Sequence, residues 1–303
     1  LGKTAVMALW LIARSQGQPL PRRLVYVVDR RAVVDQATAF AEQMRRRLDE
    51  TPELDAMRAH LASDKADPDY GSVLPISTLR GQHVDNREWL VDPCANALVV
   101  GTVDMIGSRL LFEGYGVSRK MRPYHAGMLG ADTLVVLDES HLVPPFERLL
   151  QSVEAGRSNG WGPAKPGDAV QVPPFRLLSL SATGRGRAGR TFSLGEGDIA
   201  NDPVARQRLD AKKLACLGES SDEPQDLLSE QAWELCEQGN RPTRCVVFCD
   251  RRETAVRVHQ QLLKRRPRND GTEINMLVGA RRARERELTV NWLRSTGFME
   301  DVD

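Results

Sequence analysis

With 303 residues, 41% of them hydrophobic, the chain has apolar material for two cores of ordinary size rather than one. Its 42 Lys and Arg against 41 Asp and Glu leave a formal charge of +1, which excludes a global basic field as the means of holding a polyanion, so any such site has to be local. No run of about 18 apolar residues occurs, and the opening residues are neither a signal nor a transit peptide, so a cytoplasmic protein without a membrane partner is expected.

The chain opens Leu1-Gly2-Lys3-Thr4, the last part of a phosphate-binding loop of the form G-x-x-x-x-G-K-[ST]. In such a loop backbone N–H groups cradle phosphates, the lysine reaches the β/γ oxygens and the hydroxyl reaches Mg²⁺. The first glycine of that pattern would precede Leu1, so the chain reads as a fragment that begins inside its own site. The run Ala5 to Arg14 is predicted as a helix, as expected where a phosphate loop feeds its amides into a helix N-terminus. A short β-branched strand, Leu24–Val28, comes next, with Arg30-Arg31 at its end and a helical pattern to about Leu48.

Further strands are predicted at Val73–Leu79, Ala97–Val100, Thr133–Leu137 and Phe175–Leu180. Continuous apolar strands of this kind belong to a parallel sheet covered on both faces, so an α/β fold is expected. The strand Thr133–Leu137 delivers Asp138-Glu139-Ser140-His141, two acids and a histidine, at its carboxyl end. Acids often cap a strand end, where Glu139 would simply be solvated, and Gly-Lys-Thr alone is a weak signal. Together, each at the proper end of its element, they point to nucleotide hydrolysis: Lys3 on the β/γ phosphates, Thr4 and Asp138 on Mg²⁺, Glu139 on the attacking water.

The stretch Ala155 to Pro174 is rich in Gly, Pro and Ser and reads as an irregular excursion, as does Gly184 to Gly189, where a boundary is placed. The expected domains are 1–188 and 189–303. In the second, helices are predicted at Gln225–Gln238, Glu253–Arg265 and Arg282–Arg294, with strands at Arg244–Cys249 and Ile274–Val278, a partial α/β domain. The five cysteines, Cys94, Cys216, Cys236, Cys245 and Cys249, form no C-x-x-C pair, which fits reduced thiols better than a disulfide framework. The five tryptophans are scattered and read as packing residues rather than base-stacking platforms.

Asp138-Glu139-Ser140-His141 followed by Ser181-Ala182-Thr183 after the next strand resembles the helicases of superfamily 2. That resemblance implies RecA-like domains, and it implies that His141, Ser181, Ala182 and Thr183 couple the nucleotide site to a second domain and to a nucleic-acid groove. Longer segments narrow it. Arg23 to Gln36, Leu79-Arg80-Gly81, Gly101 to Leu111, Tyr115-Gly116-Val117-Ser118, Arg122 to Gly127 and Leu277 to Arg282 are similar to the CRISPR-associated helicase-nuclease of type I systems, over about Leu1 to Arg286.

The family resemblance implies ATP-driven translocation on single-stranded DNA after recruitment to a target-bound, Cascade-type surveillance complex. It also implies a separate histidine–aspartate nuclease, and nothing here matches that part: none of His60, His83, His125, His141 and His259 is followed by aspartate. The DNA groove would be lined by Arg30, Arg31, Arg80, Gly81 and Thr102, loop residues that can present donors to phosphates without reading sequence. Taken by itself, without the resemblance, Arg30-Arg31 reads rather as a solvated helix start, and Asp104 as a cap. Because neither an upstream loop glycine nor an arginine finger is in the chain, slow ATP turnover is expected of it in isolation. Two rivals stay open: a RecA-like scaffold that binds nucleic acid without turnover, and an RNA helicase of the same superfamily.

Overall fold

A computed structural model of the chain describes residues 2–80, 83–84, 87–158, 174–181, 192, 195–212, 214–215, 223–236, 243–266, 271–278 and 283–298, with backbone alone at 31–32, 83–84, 157–158, 283 and 286–287. The chain divides into two compact units, Leu1–Leu209 and Asp210–Asp303. The expected boundary at 188/189 lies outside the described residues.

The first unit is built on strands β1 (Arg23–Val28), β2 (Ile76–Arg80), β3 (His83–Val84), β4 (Ala97–Thr102), β5 (Thr133–Leu137) and β6 (Phe175–Ser179), in the spatial order β3-β2-β4-β1-β5-β6. Five of them, β2, β4, β1, β5 and β6, run parallel, and β3 adds a two-residue antiparallel edge. Every residue of β1 and of β4 is buried, which explains why both read as unbroken apolar runs rather than alternating ones. In this unit the expected strands agree closely with the observed ones, except that β3 is not among them and Val73–Pro75 stays outside the ladder. Pro75 has no N–H to give to one, and its carbonyl instead accepts from Leu98 N at 2.8 Å.

Helices cover both faces. Trp10 and Leu11 of α1 (Val6–Ser15), Val34, Ala37 and Leu48 of α2 (Arg31–Glu50) and Leu61 of α3 (Asp55–Ser63) pack with Leu24, Tyr26, Val28, Leu98 and Val136 on one side of the sheet. Met105 and Ile106 of α4 (Val103–Leu110), Leu129 of α5 (Arg122–Gly130) and Leu150 of α6 (Pro144–Ser158) pack with Val25, Val27, Val99, Val135 and Leu137 on the other. The odd–even split along β1 is the strand pleat made visible: alternate side chains enter opposite cores. Each fully buried Leu or Val contributes about 1.5–3 kcal/mol, so the two cores hold the sheet rigid and fix what its carboxyl ends present. The unit is a doubly wound, RecA-like α/β fold. Helix α6 carries Ala155–Ser158, where an irregular stretch is expected, and residues 159–173 lie outside the described residues.

Two short helices, α7 (Glu196–Asn201) and α8 (Pro203–Asp210), follow. In the second unit, α9 (Pro224–Leu235), α10 (Arg252–Arg265) and α11 (Ala283–Ser295) occur where helices are expected. Helices α9 and α10 pack together, Ser229 Oγ donating to Gln261 Oε1 at 2.7 Å. The expected strands, one between α9 and α10 and one between α10 and α11, keep a period of two; in the first, Cys245, Val247 and Cys249 are half-buried and Val246 and Phe248 exposed. The ladder itself is not formed among the described residues: apolar alternation specifies a face, but a strand also needs a partner for its N–H and C=O groups. No helix of the described residues is long and apolar enough to cross a membrane.

Candidate functional site

In a parallel sheet all carboxyl ends lie along one rim, and ligands of open α/β sheets bind outside that rim. Arg30 after β1, Arg80 at the end of β2, Thr102 at the end of β4, Asp138 after β5 and Ser181 after β6 therefore share it. The backbone beyond β5 is pinned from both sides. Asp138 N donates to Val27 O at 2.9 Å, Leu180 N to Leu137 O at 2.9 Å, and Ser140 N to Leu180 O at 3.0 Å.

Pleat parity puts Asp138 on the same face as Leu134, Val136 and Tyr26, the face that α1 covers. Continued alternation would send Glu139 to the opposite face. Instead Glu139 takes left-handed backbone angles, φ 49° and ψ 46°, and its side chain returns to the same place. For a residue with a Cβ this conformation costs on the order of 1–2 kcal/mol, and such strain concentrates where geometry serves a site. A short 3₁₀ turn, Ser140–Leu142, then carries His141.

On the other side, Gly2 adopts φ 66° and ψ 14° ahead of a 3₁₀ turn over Lys3–Ala5 that leads into α1. The positive φ favours glycine, and an added Cβ would meet open space, so the constraint there is backbone conformation rather than packing. The turn delivers Lys3 between the two acids: its Nζ lies 2.5 Å from Glu139 Oε1 and 3.1 Å from Asp138 Oδ1. Lys3 is therefore the cation that binds the two acids together. Burial lowers its pKa, but the hydrogen bonds and charges of Glu139 and Asp138 outweigh that, and the net shift is upward.

Both oxygens of Asp138 are engaged. Oδ1 accepts from Glu139 N at 2.8 Å and from Lys3, while Oδ2 accepts from the buried Tyr26 hydroxyl at 2.9 Å. Burial, the Asp138 charge and that hydrogen bond all push the Tyr26 phenol pKa upward, so it stays a donor. Glu139 Oε2, in contrast, makes no hydrogen bond among the described residues and lies 3.4 Å from His141 Nδ1. His141 Nδ1 also sits 3.1 Å from Ser181 Oγ, joining the ends of β5 and β6.

Lys3, Asp138, Glu139, His141 and Ser181 thus form one connected chain of contacts, with Thr4, half-buried, on the same turn as Lys3. Ala182, Thr183 and Gly81 lie outside the described residues, as does the Arg31 side chain. Arg30 is exposed at the start of α2. Arg80 forms an ion pair with Asp35 of α2, so its charge is already partly compensated. Thr102 is buried, and its Oγ1 accepts from Met105 N at 3.4 Å to cap α4. The capping role expected of Asp104 therefore falls to Thr102, because the cap position precedes the first helical turn and Asp104 is inside it. Trp10 and Trp89 are core residues, and Trp161 lies outside the described residues.

Tyr26 and Asp35 are the participants that sequence reading missed. Both sit inside segments whose apolar or family-like pattern dominates, and the local signal is a phenol within the apolar run Leu24–Val28. Neither a protein-family model nor a curated protein sequence matches the chain.

Proposed function

We propose that the chain carries the ATP-hydrolysing centre of a cytoplasmic helicase that translocates on single-stranded DNA in partnership with a CRISPR surveillance complex of Cascade type. The observation that carries this reading is the convergence of Lys3 on Asp138 and Glu139 at the carboxyl rim of a RecA-like sheet. The ammonium marks a place where these carboxylates favour positive charge, and the glycine-led turn that the sequence reads as phosphate-binding borders it.

The residues fit a magnesium nucleotide. Mg²⁺ at such sites takes only one or two protein oxygens and completes its shell with phosphate and water. Asp138 Oδ1 and the Thr4 hydroxyl are the hard oxygen donors that would hold it, and when bound the ion neutralises charge on the phosphates. Lys3 would supply its positive charge to the β/γ phosphate oxygens. Glu139, whose Oε2 makes no hydrogen bond among the described residues, would orient the attacking water and accept its proton. His141 and Ser181 carry the state of that carboxylate to the end of β6. The exposed Arg30 and the Arg80–Asp35 pair offer the rim's donors to a phosphate backbone.

The test is binding of a fluorescent ATP analogue with and without Mg²⁺, together with affinity for a single-stranded oligonucleotide across a salt series. Expected are Mg²⁺-dependent nucleotide binding that Lys3→Met weakens at least tenfold, and a DNA affinity that falls log-linearly with salt. Nucleotide binding indifferent to both Mg²⁺ and Lys3 overturns the reading. DNA binding that neither responds to nucleotide nor stimulates hydrolysis favours a scaffold, and stronger stimulation by an RNA strand favours an RNA helicase.

A further inference from the structure

We propose that Tyr26 is a positioning residue for Asp138: its hydroxyl locks the carboxylate so that Oδ1 alone faces the cation position. The inference rests on the nucleotide-site reading above and names a residue that reading does not use. Tyr26 lies in the middle of the central strand β1, 1% exposed, in register with Val136 of β5. Asp138 is two residues beyond Val136 on the same pleat face, so the length of a phenol spans the gap, and the hydroxyl meets Oδ2 at 2.9 Å. A shorter hydroxyl from the same strand position does not reach so far.

The carboxylate is thereby held at both oxygens by donors that have no freedom to follow it. Oδ2 is fixed from a buried β1 side chain, and Oδ1 by Glu139 N at 2.8 Å, itself in the strained left-handed turn. Rotation about the Asp138 Cβ–Cγ bond breaks both hydrogen bonds. Lys3 approaches Oδ1 at 3.1 Å, so that oxygen is the one offered to positive charge. A carboxylate held this way presents a single oxygen to a cation that wants near-ideal octahedral geometry and takes few protein ligands. Without the phenol, Oδ2 loses its partner, the group is free to rotate, and metal coordination no longer starts from a prepared geometry.

Tyr26→Phe tests this, because it removes one oxygen and keeps the ring in the core. The readout is the Mg²⁺ concentration that half-saturates the enhancement of fluorescent ATP-analogue binding, taken beside the affinity for the same analogue in EDTA. The expected result is an increase of about tenfold in the Mg²⁺ half-point, on the scale of one hydrogen bond to a charged group, with a much smaller change in EDTA. In an Asp138→Asn background the same substitution is expected to shift the half-point less than twofold, since the group it orients has lost its charge. An unchanged Mg²⁺ half-point in a variant that is merely less stable overturns the proposal and leaves the nucleotide site standing. Equal Tyr26→Phe effects with and without Asp138 also overturn it. Absence of Mg²⁺-dependent binding in the unsubstituted chain overturns the site reading itself, and the positioning role with it.

Discussion

Replacing Lys3 by Met keeps the length and apolar stem of the side chain and deletes only the charge that separates Asp138 from Glu139. Its cost follows from how the three groups are buried. The Asp138 side chain is 10% exposed, that of Lys3 24% and that of Glu139 40%. Stripping the partner from a fully buried ion pair costs about 3–5 kcal/mol, while a surface pair is worth about 0–1 kcal/mol. The intermediate exposure places this loss at about 1–2 kcal/mol near neutral pH. The pH dependence identifies the source. Because the folded-state pKa of Lys3 is raised, the ammonium's contribution is fully present below the ordinary lysine value of 10.5 and is lost as pH rises through the higher folded value. Urea denaturation of both proteins at pH 7.5, 9 and 11 is the assay. The gap between them is expected to be constant over the first two and to narrow at pH 11. The upward pull on Tyr26 is common to both proteins and cancels in the difference. A gap of the same size at pH 11 refutes the argument, since it would belong to packing rather than charge.

Four further outcomes follow from other parts of the fold. His125 is buried edge-on against Trp89, with ring centroids 5.3 Å apart, and burial together with the Arg109 and Arg87 charges pushes its pKa down to about 4. It is neutral in the fold and charges more readily when unfolded, so stability falls as pH drops from about 6.5 toward 4, by on the order of 1 kcal/mol at pH 5. His125→Phe should flatten that acid limb in thermal melts. At Gly101 a Cβ would stand 3.0 Å from the Ile106 side chain and 3.1 Å from Leu79 O, and the carbonyl cannot retreat from within the sheet. Gly101→Ala is therefore expected to cost about 1–3 kcal/mol in urea denaturation. If Arg80 serves DNA phosphates, Arg80→Ala should lower the slope of log affinity against log salt by about 0.7 for a single strand. Asp35→Asn, which frees Arg80 from its ion pair, should raise DNA affinity.

Much of the site was legible because its residues advertise themselves locally. Gly2-Lys3-Thr4, the pair Asp138-Glu139, and His141 with Ser181 each stand at the end of an element that hydrophobic pattern alone predicts, and the structure joins Lys3, Asp138, Glu139, His141 and Ser181. Arg80 and Thr102 were legible as rim residues, but their engagements were not. An ion pair to Asp35 and a helix cap on Met105 N depend on which neighbour is within about 3 Å, and residue type does not encode that.

What the sequence determined by itself is the set of elements and their faces. Apolar runs in β1, β4 and β5 could be satisfied only by burial on both sides, which compels a parallel sheet with helices above and below. Periodicity also placed α1 and α2 of the first unit and the three helices of the second, because amphipathic spacing is a local property. The tertiary structure decided everything that needs two segments at once. It set the order β3-β2-β4-β1-β5-β6, which puts Tyr26 beside the strand that ends in Asp138. It turned Glu139 left-handed, against local preference, so that both acids meet Lys3. And it left the alternating stretches of the second unit without a ladder among the described residues, since a strand is completed by its partner and not by its own pattern.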